Sequence, residues 1–159
     1  MAKRTRTPSK TGGPGVIGID PGRSSGSIVL VVDDTIKVCP LDKATDRGIW
    51  ETVKEWSQDA SIAVLEKVHA MPKQGVSSTF KFGTSFGELK MALVAAGIRF
   101  ELVTPVQWQT FMGCRSKGDK NVTKQRAEQL FPGLKVTHKT ADALLLAEMG
   151  RRKLAQGEW

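Results

Sequence analysis

Residues 16–32 have the sequence VIGIDPGRSSGSIVLVV, from which the fold prediction starts. Two apolar runs, VIGID and SIVLVV, flank the turn PGRSSG, and this pattern predicts a β-hairpin. TIKVCPL, residues 35–41, follows a short Asp-Asp turn and predicts a third antiparallel strand, because Ile36 and Val38 alternate onto one face. The sequence therefore predicts a three-stranded meander at the start of the domain.

Helices and further strands follow the meander. Ile49, Val53 and Trp56 recur at helical spacing after the candidate caps Thr45 and Asp46. The strand SIAVLEKV comes next, and a strand reached through a helix usually adds in parallel. This order predicts an α/β domain. The remaining predicted elements are a helix from Ser85 to a stop at Gly97, a strand at 98–103, a short helix capped by Thr104 and Pro105, a helix at 122–130, and a last helix from Thr137 or Thr140 to Leu154.

Composition indicates one folded domain with a polyanionic partner. The chain has 159 residues, 40% of them hydrophobic and 25% charged, which argues against wholesale disorder, a collagen repeat or a disulfide scaffold. Lys and Arg total 24 against 16 acidic residues, a net charge of +8, and the pI is about 9.7. Nucleic acid is the expected partner, although a basic surface also serves solubility alone.

The sequence divides into a basic arm at 1–15, one domain at 16–154 and a tail at 155–159. The arm is expected to be disordered. No apolar segment of the kind found in signal peptides follows its basic residues, so we do not expect it to be a signal peptide. We expect no membrane span, because no apolar run approaches the roughly 18 residues required. Cys39 and Cys114 are far apart and outside any CxxC spacing, which predicts free thiols in a reducing compartment. The cytoplasm is the expected location, with an organelle as the alternative.

Three acidic residues stand at positions that are otherwise apolar. Asp20 ends the VIGID strand, and Glu66 interrupts the strand IAVLEKV. Asp142 lies early in the last helix, on the side of Leu145 and Met149. Two of them have simpler explanations: Asp20 could accept hydrogen bonds from its turn, and Asp142 could interact with the helix dipole. Two strand-end carboxylates and one on an apolar helix face are harder to explain separately.

Converging carboxylates indicate a site for a hard divalent cation. Like charges in a core repel each other unless a cation binds, and carboxylate oxygens suit Mg²⁺ or Mn²⁺. Two such ions roughly 4 Å apart can activate a water for phosphodiester hydrolysis. His138 joins this group if the last helix begins at Thr137, and is a loop residue if it begins at Thr140. No phosphate-binding P-loop is present.

Five segments in order, IGIDPGRSSG, AVLEKV, TFKFG, TPVQWQ and THKTADALLLAEMGRR, resemble the RuvC-type Holliday junction resolvases, and the phage and plastid branch most of all. The resemblance covers about residues 16–152. It implies an RNase H-like fold with a central mixed five-stranded sheet flanked by helices, and a homodimer that makes paired nicks in four-way DNA junctions. By motif, Asp20, Glu66 and Asp142 match the family's metal-binding carboxylates. Lys139 stands where the bacterial pattern has an acid or a histidine, so His138 is assigned a catalytic role one residue further away, and Lys139 could instead neutralise phosphate.

Basic and aromatic residues are expected to contact the DNA. Phosphate contacts give affinity without base sequence, and the resemblance places a lysine near Lys120 or Lys124 close to the scissile phosphate. Phe80 and Phe82 alternate around Lys81, so one could stack on unpaired bases while the other packs in the core, or both could be core residues. The candidate DNA-binding residues are Lys73, Phe80, Lys81, Phe82, Arg115, Lys117, Lys120, Lys124 and Arg126.

Other function classes remain beside the junction resolvase. A less selective nuclease that cuts flaps or other branches fits the same residues. A nucleic-acid binding module without activity is a second alternative, which the three carboxylates argue against. GIDPG also occurs at the start of actin-like kinases, but those need a second nucleotide-binding lobe and a far longer chain.

Overall fold

The computed structural model describes residues 13–69 and 72–159. The basic arm therefore lies outside the described residues, apart from its last three positions. The strands are β1 (Gly15–Asp20), β2 (Ser27–Val32), β3 (Thr35–Pro40), β4 (Ala60–Glu66) and β5 (Phe100–Val103), and the helices are α1 (Asp46–Trp56), α2 (Val76–Ala96), α3 (Pro105–Phe111), α4 (Lys120–Leu130) and α5 (Ala141–Ala155), with a short 3-10 helix at Leu41–Lys43.

The five strands form one mixed sheet in the order β3-β2-β1-β4-β5. The predicted meander is confirmed, because β2 pairs antiparallel with both β1 and β3. The parallel addition is confirmed as well: β4 lies parallel to β1, and β5 lies parallel to β4. The sheet is thus the mixed five-stranded sheet that the sequence predicts, with β1 and β4 adjacent near its centre.

Helices cover both faces of the sheet, and the alternation of each strand divides the core in two. On one face, Val16 of β1 and Val64 of β4 pack in a cluster with the apolar side of α5. On the other face, Ile17 and Ile19 pack with residues of α1 and α2, including Trp56. Alternate residues of β1 therefore point toward different helices, which decides the face on which Asp20 lies.

Helix α5 approaches the sheet unusually closely because two glycines remove side chains from the contact. A Cβ on Gly18 of β1 would lie 2.0 Å from the carbonyl oxygen of Ala143, and one on Gly150 of α5 would lie 2.6 Å from a methyl carbon of Val16. Both distances are shorter than real Cβ contacts allow. The position of α5 over β1 therefore depends on glycine at these sites.

Several predicted boundaries are wrong, and the longest error concerns α2. Helix α2 begins at Val76, well before the predicted start at Ser85. The sequence does not indicate this earlier start, because the apolar side chains of the first turns, Val76 and Phe80, face solvent and give no core-facing periodicity. Strand β4 ends at Glu66 rather than 68, and α4 begins at Lys120 rather than 122. Thr45, Gly97 and Thr104 cap helices as predicted, and Thr104 forms a capping box with Gln107.

The ends of the domain differ slightly from the predicted division. Gly15 already belongs to β1, and Ala155 still belongs to α5. Trp159 in the predicted tail is half-buried and packs against the core cluster around α5. Cys39 and Cys114 are both free, as expected. Within the part of the chain that is described, no helix has the length and apolar character to cross a membrane.

Candidate active site

Asp20 and Glu66 end neighbouring parallel strands. The register of β1 and β4 pairs Ile19 with Leu65, so the two acidic residues are the next positions on adjacent strands. Asp20 shares a face with Gly18, and Glu66 shares a face with Val64; both of these face α5. The strand geometry therefore brings both carboxylates to one end of the sheet, on its α5 side.

Asp142 reaches the same place from the first turn of α5. Its neighbour Ala143 lies directly over Gly18, so the close contact between α5 and β1 sets the distance between Asp142 and Asp20. The three carboxylates line one cleft with a volume of about 420 Å³. The structure thus brings together the three acidic residues that the sequence singles out.

The environment of these carboxylates opposes their ionisation. Burial and, next, the charge of Asp142 raise the pKa of Asp20 from 3.8 to about 7, against a backbone N–H from Gly22 and the charge of Lys120. Burial raises the pKa of Glu66 from 4.5 to about 8, with the charge of Asp20 as the next cause. Burial also raises the pKa of Asp142. Asp20 and Glu66 therefore hold protons near neutral pH unless positive charge is supplied.

Two of the carboxylates accept hydrogen bonds from outside their own strands. The backbone N–H of Gly22 donates to Asp20 at 3.3 Å, and the indole N–H of Trp108 on α3 donates to Glu66 at 2.6 Å. Thr123 on α4 lies near Asp142 and lowers its pKa, while the Thr123 hydroxyl donates to the Lys120 carbonyl at 3.3 Å. Sequence reasoning missed Trp108 and Thr123; the signal for Trp108 was an indole on a core-facing helix position, since a buried indole N–H needs an acceptor.

Basic residues from the loop between α3 and α4 and from the start of α4 also line the cleft. They are Arg115, Lys117 and Lys120, and the charge of Lys120 lowers the pKa of all three carboxyl groups. The loop is fixed by Gln109, whose side-chain oxygen accepts hydrogen bonds from the backbone N–H of Ser116 at 3.2 Å and from its hydroxyl at 3.3 Å. Positive side chains are therefore held beside the acidic cluster by a defined loop.

The other predicted basic contacts lie away from the cleft lining. Lys124 pairs with Glu128 at 3.0 Å, and the Arg126 side chain donates to the Met112 carbonyl at 2.9 Å. Arg126 therefore links α4 to the start of the loop between α3 and α4, which is a structural contact. Lys73 is exposed in the turn before α2, with a positive φ of 67°.

His138 does not lie one helical turn before Asp142. Helix α5 begins at Ala141 after the cap residue Thr140, so His138 is in the preceding turn and is exposed. Its charge lowers the pKa of Asp142, but it is not among the residues that line the cleft. The Lys139 ammonium group pairs with Asp42 at 2.5 Å. The group that the sequence suggests for neutralising phosphate therefore already has a carboxylate partner.

Phe80, Lys81 and Phe82 lie on α2, so their side chains do not simply alternate between core and surface. Phe80 is 74% exposed and Phe82 is half-buried, and neither belongs to the buried core, so the alternative in which both are core residues is wrong. All three line a second groove of about 770 Å³. Ser25 and Phe82 line both this groove and the carboxylate cleft, so the two adjoin.

The donor set of the cleft fits a hydrated divalent cation. The charge of Asp142 raises the pKa of Asp20, and the charges of Asp20 and Asp142 raise the pKa of Glu66, so the three carboxylates form one cluster of hard oxygen ligands. Among residues 13–69 and 72–159, however, no three His, Cys, Asp or Glu side chains are grouped as a complete metal site. Mg²⁺ commonly binds through one or two carboxylates and keeps several waters, so the arrangement suits it better than a fully protein-ligated ion.

With its strand order, mixed pairing and flanking helices, the chain has an RNase H-like fold. Its structural neighbours include Thermus thermophilus RuvC in complex with Holliday junction substrate, at a TM-score of 0.64 and 18% identity over 91% of this chain and 97% of that chain. A second structure of T. thermophilus RuvC gives the same values. No protein-family profile and no curated protein sequence matches the chain. The likeness establishes a RuvC-like fold at low sequence identity.

Proposed function

We propose that this protein is a divalent-metal-dependent endonuclease that resolves four-way DNA junctions by paired nicks. The observation that carries the proposal is that Asp20, Glu66 and Asp142 line one cleft together with Arg115, Lys117 and Lys120. The acidic side suits a cation, and the basic side suits a phosphodiester backbone. The RuvC-like fold supports the same reaction class, because the structural neighbour carries a Holliday junction in its complex.

In the proposed reaction, water attacks a phosphodiester and releases a 3′ or 5′ alcohol. Asp20, Glu66 and Asp142 would hold Mg²⁺, or Mn²⁺ in its place, and the family resemblance implies two ions. Such a cation would lower the pKa of the attacking water and offset charge on the phosphate. Lys120 lines the same cleft, so its ammonium group is available to a phosphate bound there. His138 is assigned a secondary role through its charge, since it lies in the turn before α5.

The groove beside the cleft supports branched DNA as the substrate. Phe82 is partly exposed and lines both this groove and the carboxylate cleft, and an exposed ring face can stack on a base that has left its pair. Junctions and flaps offer such bases, whereas a linear duplex does not. Membership of the phage and plastid branch and a cytoplasmic or organellar location belong to the same proposal.

A homodimer is part of the proposal, and the outer face of α2 supports it. Val76, Phe80, Met91 and Val94 are 88%, 74%, 60% and 53% exposed. With about 3.6 residues per turn, they fall on one stripe of the helix, together with Gly83 and Gly87. Nothing lies within 4 Å of where a Cβ on either glycine would be. An apolar stripe along a 21-residue helix is typical of an interface.

The order of residues along this stripe is nearly symmetric about Ser85. Position 76 mirrors 94, 83 mirrors 87, and 80 lies one residue from the mirror of 91. In a two-fold antiparallel helix pair, Val76 and Phe80 of one copy would therefore meet Val94 and Met91 of the other. The glycines at the crossing point would allow close approach. The stripe fits a second copy of this chain because a two-fold interface must be self-complementary.

The test is cleavage of matched synthetic substrates with mapped nicks. We expect a four-way junction to be cut at symmetric positions in Mg²⁺, faster than a flap and far faster than linear duplex, with no cutting in a chelator. Met91→Glu should sediment as a monomer and lose the pairing of the nicks, whereas Val38→Glu, on β3, should retain both. Cutting of linear duplex at the junction rate, or cutting in the chelator, would contradict the proposal.

The flap nuclease and the inactive binding module are the outcomes that this experiment separates. Preference for a flap over the junction would favour the first. Metal-independent binding without any cut would favour the second.

A further inference from the structure

Trp108 is a fully buried aromatic residue with its polar atom at the candidate active site. Its side chain is 0% exposed, and its indole N–H donates to the Glu66 carboxylate at 2.6 Å. The ring packs in the core cluster with α5. Helix α3 is fixed at its start by the capping box of Thr104 and Gln107 with Pro105 at the first helical position. Trp108 is therefore a rigid donor aimed at one carboxylate oxygen.

Thr123 on α4 lines the same cleft as Asp142 and is 3% exposed. Its hydroxyl donates to the Lys120 carbonyl of the preceding turn at 3.3 Å, so this hydrogen bond lies within α4. The donor whose geometry is directed at a carboxylate from a separate helix is therefore Trp108.

Trp108 belongs to a segment of the chain, residues 105–130, that packs beside the sheet and is not part of it. The strands and α5 place the backbones of Glu66 and Asp142. A carboxylate at the end of a strand or on a helix can still rotate about its side-chain bonds. A donor at fixed position removes one oxygen from that rotation and leaves the other oxygen free to face the cleft.

We infer that Trp108 is a positioning residue that orients Glu66 for cation binding without contacting the cation or the DNA. The inference rests on the proposed function for the identity of the site. It goes beyond the proposed function by assigning a role to a residue that is neither acidic nor basic. Without this donor, the Glu66 carboxylate would rotate among orientations and bind a cation more weakly.

The test measures Mn²⁺ affinity by calorimetry, without DNA. Trp108→Phe keeps most of the ring and deletes the N–H. We expect it to weaken Mn²⁺ binding roughly 10- to 100-fold, the usual loss when the hydrogen-bond partner of a ligand is removed. Junction affinity in a chelator should stay within about twofold of the unaltered protein, because the buried Trp108 side chain is not expected to reach the DNA.

A matched control separates orientation from packing. Trp56→Phe makes the same change in the core on the opposite face of the sheet. This control should bind Mn²⁺ like the unaltered protein at a similar cost in melting temperature. Unchanged Mn²⁺ affinity in Trp108→Phe would overturn the inference, as would failure of the unaltered protein to bind Mn²⁺. Mn²⁺ binding without any junction cleavage would contradict the proposed function alone.

Discussion

Asp20→Asn is expected to reduce junction cleavage in Mg²⁺ by on the order of 1,000-fold or more. Asn keeps the size of the side chain and replaces one ligand oxygen with an amide that holds cations poorly. Even a lost hydrogen-bond partner of a metal ligand costs roughly 10- to 100-fold, so loss of a ligand itself should cost more. Single-turnover cleavage of a labelled junction measures the effect.

The same variant should be more stable than the unaltered protein when no divalent cation is present. Burial and the charge of Asp142 raise the pKa of Asp20 from 3.8 to about 7. Because the folded state holds this proton more tightly than the unfolded chain, the free energy of unfolding decreases as the pH rises from the ordinary pKa of 3.8 through the raised pKa of about 7. Asn removes that loss, so its melting temperature should exceed that of the unaltered protein at pH 8 and match it near pH 4.

The control is Asp34→Asn in the exposed β2–β3 turn, which should change neither cleavage nor melting temperature. Asp20→Asn that cuts the junction within tenfold of the normal rate would contradict the assigned role. Loss of cleavage caused only by unfolding of the variant would also contradict the assigned role. The melting curve at pH 8 detects such unfolding.

Gly18→Ala is expected to have the second largest effect, on stability and on cleavage together. The added methyl would lie 2.0 Å from the Ala143 carbonyl oxygen and 2.6 Å from the backbone nitrogen of Ala147. Both atoms belong to the backbone of α5, so the whole helix must move to relieve the contact. Overpacking of this kind costs about 1–3 kcal/mol or more, which corresponds to a melting temperature lower by roughly 10 °C.

Cleavage should fall with stability because Asp142 moves with α5. At a temperature where the variant is fully folded, we expect cleavage at least about 100-fold slower, since misplacement by about 1 Å can cost that much. Gly75→Ala is the control, because its Cβ would meet nothing within 4 Å. Normal cleavage by folded Gly18→Ala would show that the approach of α5 does not set the site.

The sequence predicts the sheet well because its signals are local. The β-branched runs around the PGRSSG turn specify β1 and β2, and their register places Asp20 opposite Ser27. Helical spacing and the caps Thr45 and Thr104 mark α1 and α3. The convergence of Asp20 and Glu66 follows once β1 and β4 are parallel neighbours.

What the sequence does not predict depends on contacts between distant elements. The start of α2 is hidden because Val76 and Phe80 face outward. The place of His138 depends on where α5 begins, and two threonines offered equally good caps. Trp108 and Glu66 are 42 residues apart, so their hydrogen bond exists only in the folded chain.

The central claim is that Asp20, Glu66 and Asp142 together hold a divalent cation, and calorimetric titration with Mn²⁺ in two buffers of different ionisation enthalpy tests it most directly. Because the pKa values of Asp20 and Glu66 are raised to about 7 and about 8, binding at pH 7 should release protons, and affinity should increase with pH. Asp20→Asn should bind at least about tenfold more weakly and release fewer protons. Binding that is independent of pH and unchanged in Asp20→Asn would contradict the claim.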